Sequence, residues 1–421
     1  MKSKLLLCAL AFALLCGCWD KQELEDHIFV IMMGIDKAQD GNLLVTVAYP
    51  VTQMGPGGGE GPGEYAVISA KAPTLSQAMS LFGINLAGPL SLFSAKTIVI
   101  SEELARDDML RDVFSQGYYD QMRNNTSVVI ANSGAAAFIK ARIENPAIDP
   151  LRQEDLLLEQ ANYSAYYRPM QLLDFTRSLR ASNMDAAAIY AGVAQESADQ
   201  KDEEKSKENA QEDQPQSEPD DAQISQPVRA GYLPGQAPLL GDNSAQISGL
   251  AVFRGERMVG ALDSFETQTL NLITRSRTRK ILALPDPLSP GEEMIVSILP
   301  TGRSKIRSYF VGETPTFDIT LRLRGTIEQI RGDANHSEDF LAAYIKQACA
   351  SNIENLITKL QQEYRADLLG LGSKLSRNFL TVQEWEAFGW RERYPDANIR
   401  VHINLDLDRA DIGGSGSRVL F

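Results

Sequence analysis

Cysteine and histidine are scarce in this 421-residue chain, with four and three copies respectively. Three of the cysteines, Cys8, Cys16 and Cys18, lie at the extreme N-terminus, so the body of the chain holds only Cys349. One thiol can form neither an internal disulfide nor a cysteine metal cluster. His27, His336 and His402 are far apart, and none has a second ligand at metal-site spacing. Basic residues are outnumbered, 41 against 55 acidic, giving a net charge of −14 and arguing against a nucleic-acid binder. Long apolar runs are missing too. The longest, residues 5–16, is too short to span a bilayer as a helix, so the chain is not a polytopic membrane protein.

What that run does resemble is the core of a secretory signal. Lys2 and Lys4 precede it, and Leu15-Cys16-Gly17-Cys18 closes it with a small residue before a cysteine. This ending is similar to a bacterial lipobox, in which cleavage leaves a cysteine that carries a diacylglyceryl group. Residues 1–17 are therefore expected to be a lipoprotein signal peptide, with Cys18 the lipidation site and acyl chains the membrane link. Each buried methylene adds about 0.8 kcal/mol, so two or three chains anchor stably.

The mature chain is expected to divide in two. In residues 18–193, strands are predicted over 28–36 and 43–50 around the turn Asp40-Gly41-Asn42, then over 64–70, 94–101 and 126–131. Helices are predicted from Pro73 to Leu86, around 107–117 and over 134–142. Met54 to Gly63 is rich in glycine and proline but fits G-x-G-x-x-G in no register, so it reads as a loop and not a phosphate cradle. Residues 194–245 read as an acidic linker. Its first part, 194–225, has eleven acidic and three basic residues and no aromatic, and is expected to be disordered.

The second unit, 246–415 and divisible into two subdomains, has a predicted hairpin over 246–253 and 258–262 and a helix over 264–274. Strands follow over 279–284, 292–299, 304–311 and 316–330. One long amphipathic helix is predicted from Ser337 to about Leu369, stopped by Gly370 and Gly372. Leu341, Ile345, Cys349, Ile353, Leu356, Leu360 and Tyr364 line one face of it. A last strand, 399–407, turns Ile399, Val401, Ile403 and Leu405 inward, and 416–421 is a tail. The fold class is α+β: an elongated, multi-domain ectodomain with mixed and antiparallel sheets.

No constellation of reactive residues stands out. Gly413-Gly414-Ser415-Gly416-Ser417 misses the nucleophile elbow G-x-S-x-G at its fifth position. Glu23 with Glu25, and Asp406 with Asp408, alternate along short elements without a partner constellation. Cys349 reads as a buried structural thiol. The basic run Arg275, Arg277, Arg279 and Lys280 fits a solvated or ion-paired face better than a contact for lipid headgroups.

Cys18-Trp19-Asp20, Glu23-Leu24 and Met33-Gly34-Ile35-Asp36-Lys37 resemble the start of the Ger(x)C family of spore germination lipoproteins. So do Gly249-Leu250-Ala251-Val252-Phe253, Met258-Val259-Gly260-Ala261-Leu262 and Glu266-Thr267 further on. Ala366-Asp367-Leu368-Leu369-Gly370-Leu371-Gly372, Trp385 and Trp390 complete the likeness. The resemblance implies a non-enzymatic subunit without cofactor or metal, required for nutrient-triggered germination. It implies tethering by Cys18 to the outer face of the spore's inner membrane. The implied partners are the A and B subunits of a germinant receptor, both membrane proteins. The alternative is a lipid-anchored solute-binding protein of a transporter.

Overall fold

The computed structural model describes residues 27–51, 64–86, 88–107, 109–115, 121–145, 149–194, 231–239, 244–275, 278–287, 292–330 and 337–409. The expected signal segment, the expected loop from Met54 to Gly63, the acidic stretch 195–230 and the expected C-terminal tail lie outside them.

Strands β1 (Ile28–Phe29), β2 (Met32–Lys37), β3 (Leu43–Val51), β4 (Glu64–Ala72), β5 (Leu90–Ser91), β6 (Thr97–Ser101), β7 (Ser127–Ala131) and β8 (Ala187–Val193) come first. Among them run α1 (Leu75–Asn85), α2 (Glu102–Ala105), α3 (Met109–Ser115), α4 (Ala135–Ile143), α5 (Pro150–Ser164) and α6 (Leu172–Arg180). β2, β6, β7 and β8 are the parallel centre of an eight-stranded sheet, which explains their nearly continuous apolar sequences. Antiparallel β3 and β4 extend one edge. Phe138, Ile139 and Leu157 of α4 and α5 cover one face, and Phe82, Leu104, Phe175 and Leu179 of α1, α2 and α6 cover the other.

The expected single strand over 28–36 is broken. β1 leaves the large sheet and pairs in parallel with β5, and β2 begins at Met32. α5, α6 and β8 have no counterpart among the sequence predictions.

A larger correction concerns the hairpin after the acidic stretch. β9 (Ala245–Arg254) and β10 (Arg257–Leu262) form at the predicted places but complete the first sheet, in the order β10-β9-β8-β7-β6-β2-β3-β4. Val193 and Ala245 are register neighbours, so the acidic stretch is an excursion from one sheet and not a link between two bodies. Residues 231–239, expected within the linker, are packed against the first sheet. The Gln246 side chain accepts from the amides of Gly235 and Ala237, and Ser248 donates to the Tyr232 carbonyl.

α7 (Ser264–Thr274) has a capping box, in which Asp263 and Glu266 satisfy each other's backbone amides. It packs between the first sheet and a second one, built from β11 (Lys280–Pro285), β12 (Glu293–Pro300), β13 (Lys305–Val311), β14 (Thr314–Ile330) and β15 (Asn398–Arg409). The 17-residue β14 is the spine, with β12 and β13 end to end on one edge and β15 parallel on the other.

α8 (Glu338–Thr358) lies on this sheet, and the residues predicted for its apolar face are all buried. It ends earlier than predicted. A π turn over Lys359–Glu363 widens the backbone, and Arg365 takes a left-handed φ of 52° before either glycine is reached. The short α9 (Leu371–Leu375), α10 (Val382–Phe388) and α11 (Trp390–Arg393) carry the chain to β15.

Candidate functional site

The loop between α6 and β8, residues 181–186, is gripped by the second half of the chain. Arg391 on α11 donates to the Ala181 carbonyl at 2.6 Å and ion-pairs with the Asp185 carboxylate at 3.2 Å. Trp385 on α10 donates its indole N–H to Ser182 Oγ at 3.0 Å. Ser373 donates to the Asn183 carbonyl at 3.4 Å.

At the centre are two buried aspartates. Asp185 accepts from the Asp367 amide at 2.9 Å and the Gly255 amide at 3.1 Å, while its own amide donates to the Asp367 carbonyl at 3.1 Å. The Asp367 carboxylate accepts from the amides of Leu371 at 3.0 Å and Gly372 at 2.8 Å, and from the Trp390 indole at 3.1 Å. Burial pushes the Asp367 carboxyl up to about 6, reinforced by Asp185 and opposed by the three N–H donors. Gly372 is required here, because a Cβ would fall under 3.0 Å from both Trp390 and the Asn183 carbonyl. Around this polar centre, Trp390 meets Phe317 at 5.6 Å and Tyr394 at 5.6 Å between ring centroids, both edge-on.

The other family-like residues also hold architecture. Gly34 lets α4 cross β2, since its Cβ would sit 2.7 Å from the Ile139 side chain and 3.1 Å from that of Ala135. Asp36 caps α4 by accepting from the amides of Ala135 and Ala136 at 2.6 and 2.9 Å. Lys37 pairs with Asp107 at 2.5 Å. Gly249 adopts a φ of +90° against the Leu262 carbonyl, and Gly260 makes room for the Tyr364 ring. Glu266 both caps α7 and binds Lys359 at 2.7 Å.

The sequence-predicted residues do not assemble into a reactive centre. Cys18, His336, Ser415, Glu23 and Glu25 lie outside the described residues. His27 is half-buried at the start of the fold, and His402 is exposed, 4.0 Å from Asp318. Asp406 and Asp408 are exposed, with Asp408 3.5 Å from Arg324. Cys349 is buried, and burial pushes its thiol up to about 11.

The basic run is a solvated or ion-paired face only at Arg279, which is exposed and pairs with Glu328; Arg275 is half-buried, Lys280 lies inside the second half, and Arg277 is outside the described residues. Lys280 donates to Thr269 Oγ1 and, at 3.3 Å, to the Phe265 carbonyl; its ammonium stands 3.5 Å from the Phe265 ring centroid. Burial pushes it down to about 7. The signal missed in the sequence was the alternation of β11, which turns Lys280 and Leu282 inward and leaves Ile281 outside. The joint was half visible, since Asp367, Gly372, Trp385 and Trp390 stood among the family-like residues. Asp185 and Arg391 did not.

Comparison with known sequences gives two family matches. Residues 20–193 match the spore germination protein N-terminal domain, and residues 248–411 match the domain described as "Spore germination B3/ GerAC like, C-terminal". The chain belongs to the Ger(x)C spore germination family. Members of this family from Bacillus subtilis (strain 168) align over nearly its full length. The putative spore germination protein YfkR is 23% identical over 98% of both chains, and spore germination protein B3 is 20% identical over 93% of this chain and 94% of its own. Spore germination protein KC is 28% identical over 31% of this chain and 33% of its own. The Ger(x)C fold is also that of the GerBC crystal structure, with a TM-score of 0.51, 15% identity, and coverage of 89% of this chain and 96% of that one. The N-terminal match ends with β8 at Val193 and the C-terminal match begins within β9 at Ser248, so one Ger(x)C sheet takes strands from both matched domains. Among the described residues, no helix is long and apolar enough to cross a membrane.

Proposed function

We propose that this chain is a lipid-anchored, non-catalytic subunit of a spore germinant receptor, acting beside A and B membrane subunits in nutrient-triggered germination. Full-length similarity to spore germination proteins is the observation that carries this reading. The lipobox-like Leu15-Cys16-Gly17-Cys18 supplies the anchor, at the outer face of the spore's inner membrane. The family-like residues support it as well, because Gly34, Asp36, Glu266, Asp367 and Gly372 cap helices, admit close packing and join the two halves. A subunit built this way contributes a rigid surface and a tether instead of a reactive group.

The experiment places Cys18→Ala in cells lacking the partner subunits and follows membrane retention, then measures dipicolinate release from spores of an otherwise single-receptor strain. Loss of retention with the fold intact supports the anchor. Stable retention of the cleaved mutant removes it. Normal nutrient germination of a complete deletion strain would remove the receptor role.

A further inference from the structure

Two large apolar side chains close to the N-terminal end of the fold face solvent. Ile84 on the last turn of α1 is 80% exposed, and Phe93, two residues beyond β5, is 60% exposed. Leu81, one turn before Ile84, is 42% exposed on the same side of the helix, opposite the buried Leu75, Ala78, Met79 and Phe82.

The helix that carries Leu81 and Ile84 contacts β5, and β5 pairs with β1, where the upstream chain joins the fold. The Ile28 amide donates to the Pro89 carbonyl at 3.0 Å, and Ile28 is in register with Leu90. Ile84 comes six residues before Leu90 and Phe93 three after it, so connectivity keeps both within about 20 Å of that place. Cys18 is ten residues upstream of Ile28, a reach of about 35 Å at full extension. A chain acylated at Cys18 therefore has this end of the fold close to the bilayer.

The charge there suits the same occupant. The Arg123 guanidinium lies 4.3 Å from the Phe93 ring centroid and is exposed, with no carboxylate paired to it among the described residues. An aromatic ring entering the headgroup layer beside an arginine that reaches lipid phosphate is a favourable interfacial arrangement.

We infer that the face bearing Leu81, Ile84, Phe93 and Arg123 rests on the surface of an anionic phospholipid bilayer, with Ile84 and Phe93 entering the headgroup region. The inference rests on the anchored reading above and adds a second, orienting contact to it. With the ectodomain held at two places, its opposite surfaces face away from the membrane in a fixed direction.

The test uses the full acylated chain on vesicles of phosphatidylcholine and phosphatidylglycerol, with nitroxide labels on Ile84→Cys, Phe93→Cys and, for comparison, Leu380→Cys. Leu380 is 93% exposed but belongs to the second half. On vesicles, the accessibility of oxygen relative to a water-soluble nickel complex should rise several-fold at 84 and 93 and stay unchanged at 380. An Arg123→Gln chain should show a smaller rise on the anionic vesicles. Water-like labels at 84 and 93 on a vesicle-retained chain would overturn the contact and leave the anchor standing. An equal rise at 380 would overturn it as well, as indiscriminate adhesion. Retention of Cys18→Ala reads the anchor separately, because labels at 84 and 93 decide the contact whether or not that variant is released.

Discussion

Asp185 and Asp367 are bonded to each other twice, main chain to main chain at 3.1 Å and carboxylate to amide at 2.9 Å, although 182 residues separate them in sequence. The two halves of the molecule are thereby fixed by groups that cannot slide. Apolar surfaces alone would tolerate many relative placements, whereas a buried carboxylate with directed donors accepts one.

Asp185→Ala should destabilise the protein by about 3 kcal/mol or more, because the amides of Gly255 and Asp367 and the Arg391 guanidinium lose their acceptor. Urea denaturation checks it, and a loss below 1 kcal/mol would mean the joint carries little.

Gly372→Ala should cost about 1–3 kcal/mol through overpacking, since neither the Trp390 ring nor the Asn183 carbonyl is a free end that can move away. Gly302→Ala, in an open turn, is the control and should be close to neutral. Comparable melting temperatures for the two variants would contradict the close contact.

Asp367 makes stability pH-dependent in an unusual direction. Its folded value of about 6 is above the ~3.9 of an unfolded aspartate, so the native state holds the proton more tightly. Its contribution is fully present below about pH 4 and is lost as pH rises through 6, by about 3 kcal/mol. The stability difference between wild type and Asp367→Asn should shift by that amount between pH 4 and 7. A pH-independent difference would place the carboxyl at an ordinary value.

Lys280 acts in a separate window. Its folded value of about 7 is below the ~10.4 of an unfolded lysine, so stability falls as pH drops from about 10 to 7 and is level below that. Lys280→Met keeps the volume, removes the charge and should flatten this slope. It should also raise the melting temperature at neutral pH by several degrees, since a well-packed apolar side chain replaces a desolvated ammonium.

Lys280 also illustrates what could be read from the sequence. Periodicity located α7, α8 and most strands, because burial imposes a period of two or 3.6 wherever an element has one apolar face. α7 was placed at its observed bounds, and the α8 face was found residue by residue. Periodicity carries no information about which strands pair. β9 and β10 were recognised as a hairpin but their place at the edge of the first sheet was not, since β8 is held to β9 by backbone groups common to all residues. A helix end set by a π turn and a left-handed arginine has no compositional marker, whereas the glycines beyond it were conspicuous. The joint escaped for a related reason: an aspartate that accepts backbone amides looks the same in sequence as one dissolved in water.

Because Val193 and Ala245 are neighbours in one ladder, the connection over residues 195–230 is topologically dispensable. A chain cut between residues 195 and 230 would yield two fragments, neither with the whole eight-stranded sheet, that hold together through the β8–β9 ladder, the aspartate joint and the packing of α7. Fragment complementation, read as co-elution of the pieces at the intact size, is thus built into the fold. Insertions at that place are correspondingly inexpensive, since doubling a loop adds only about 0.6 kcal/mol of closure entropy. Sequence length there can drift freely while both sheets stay where they are.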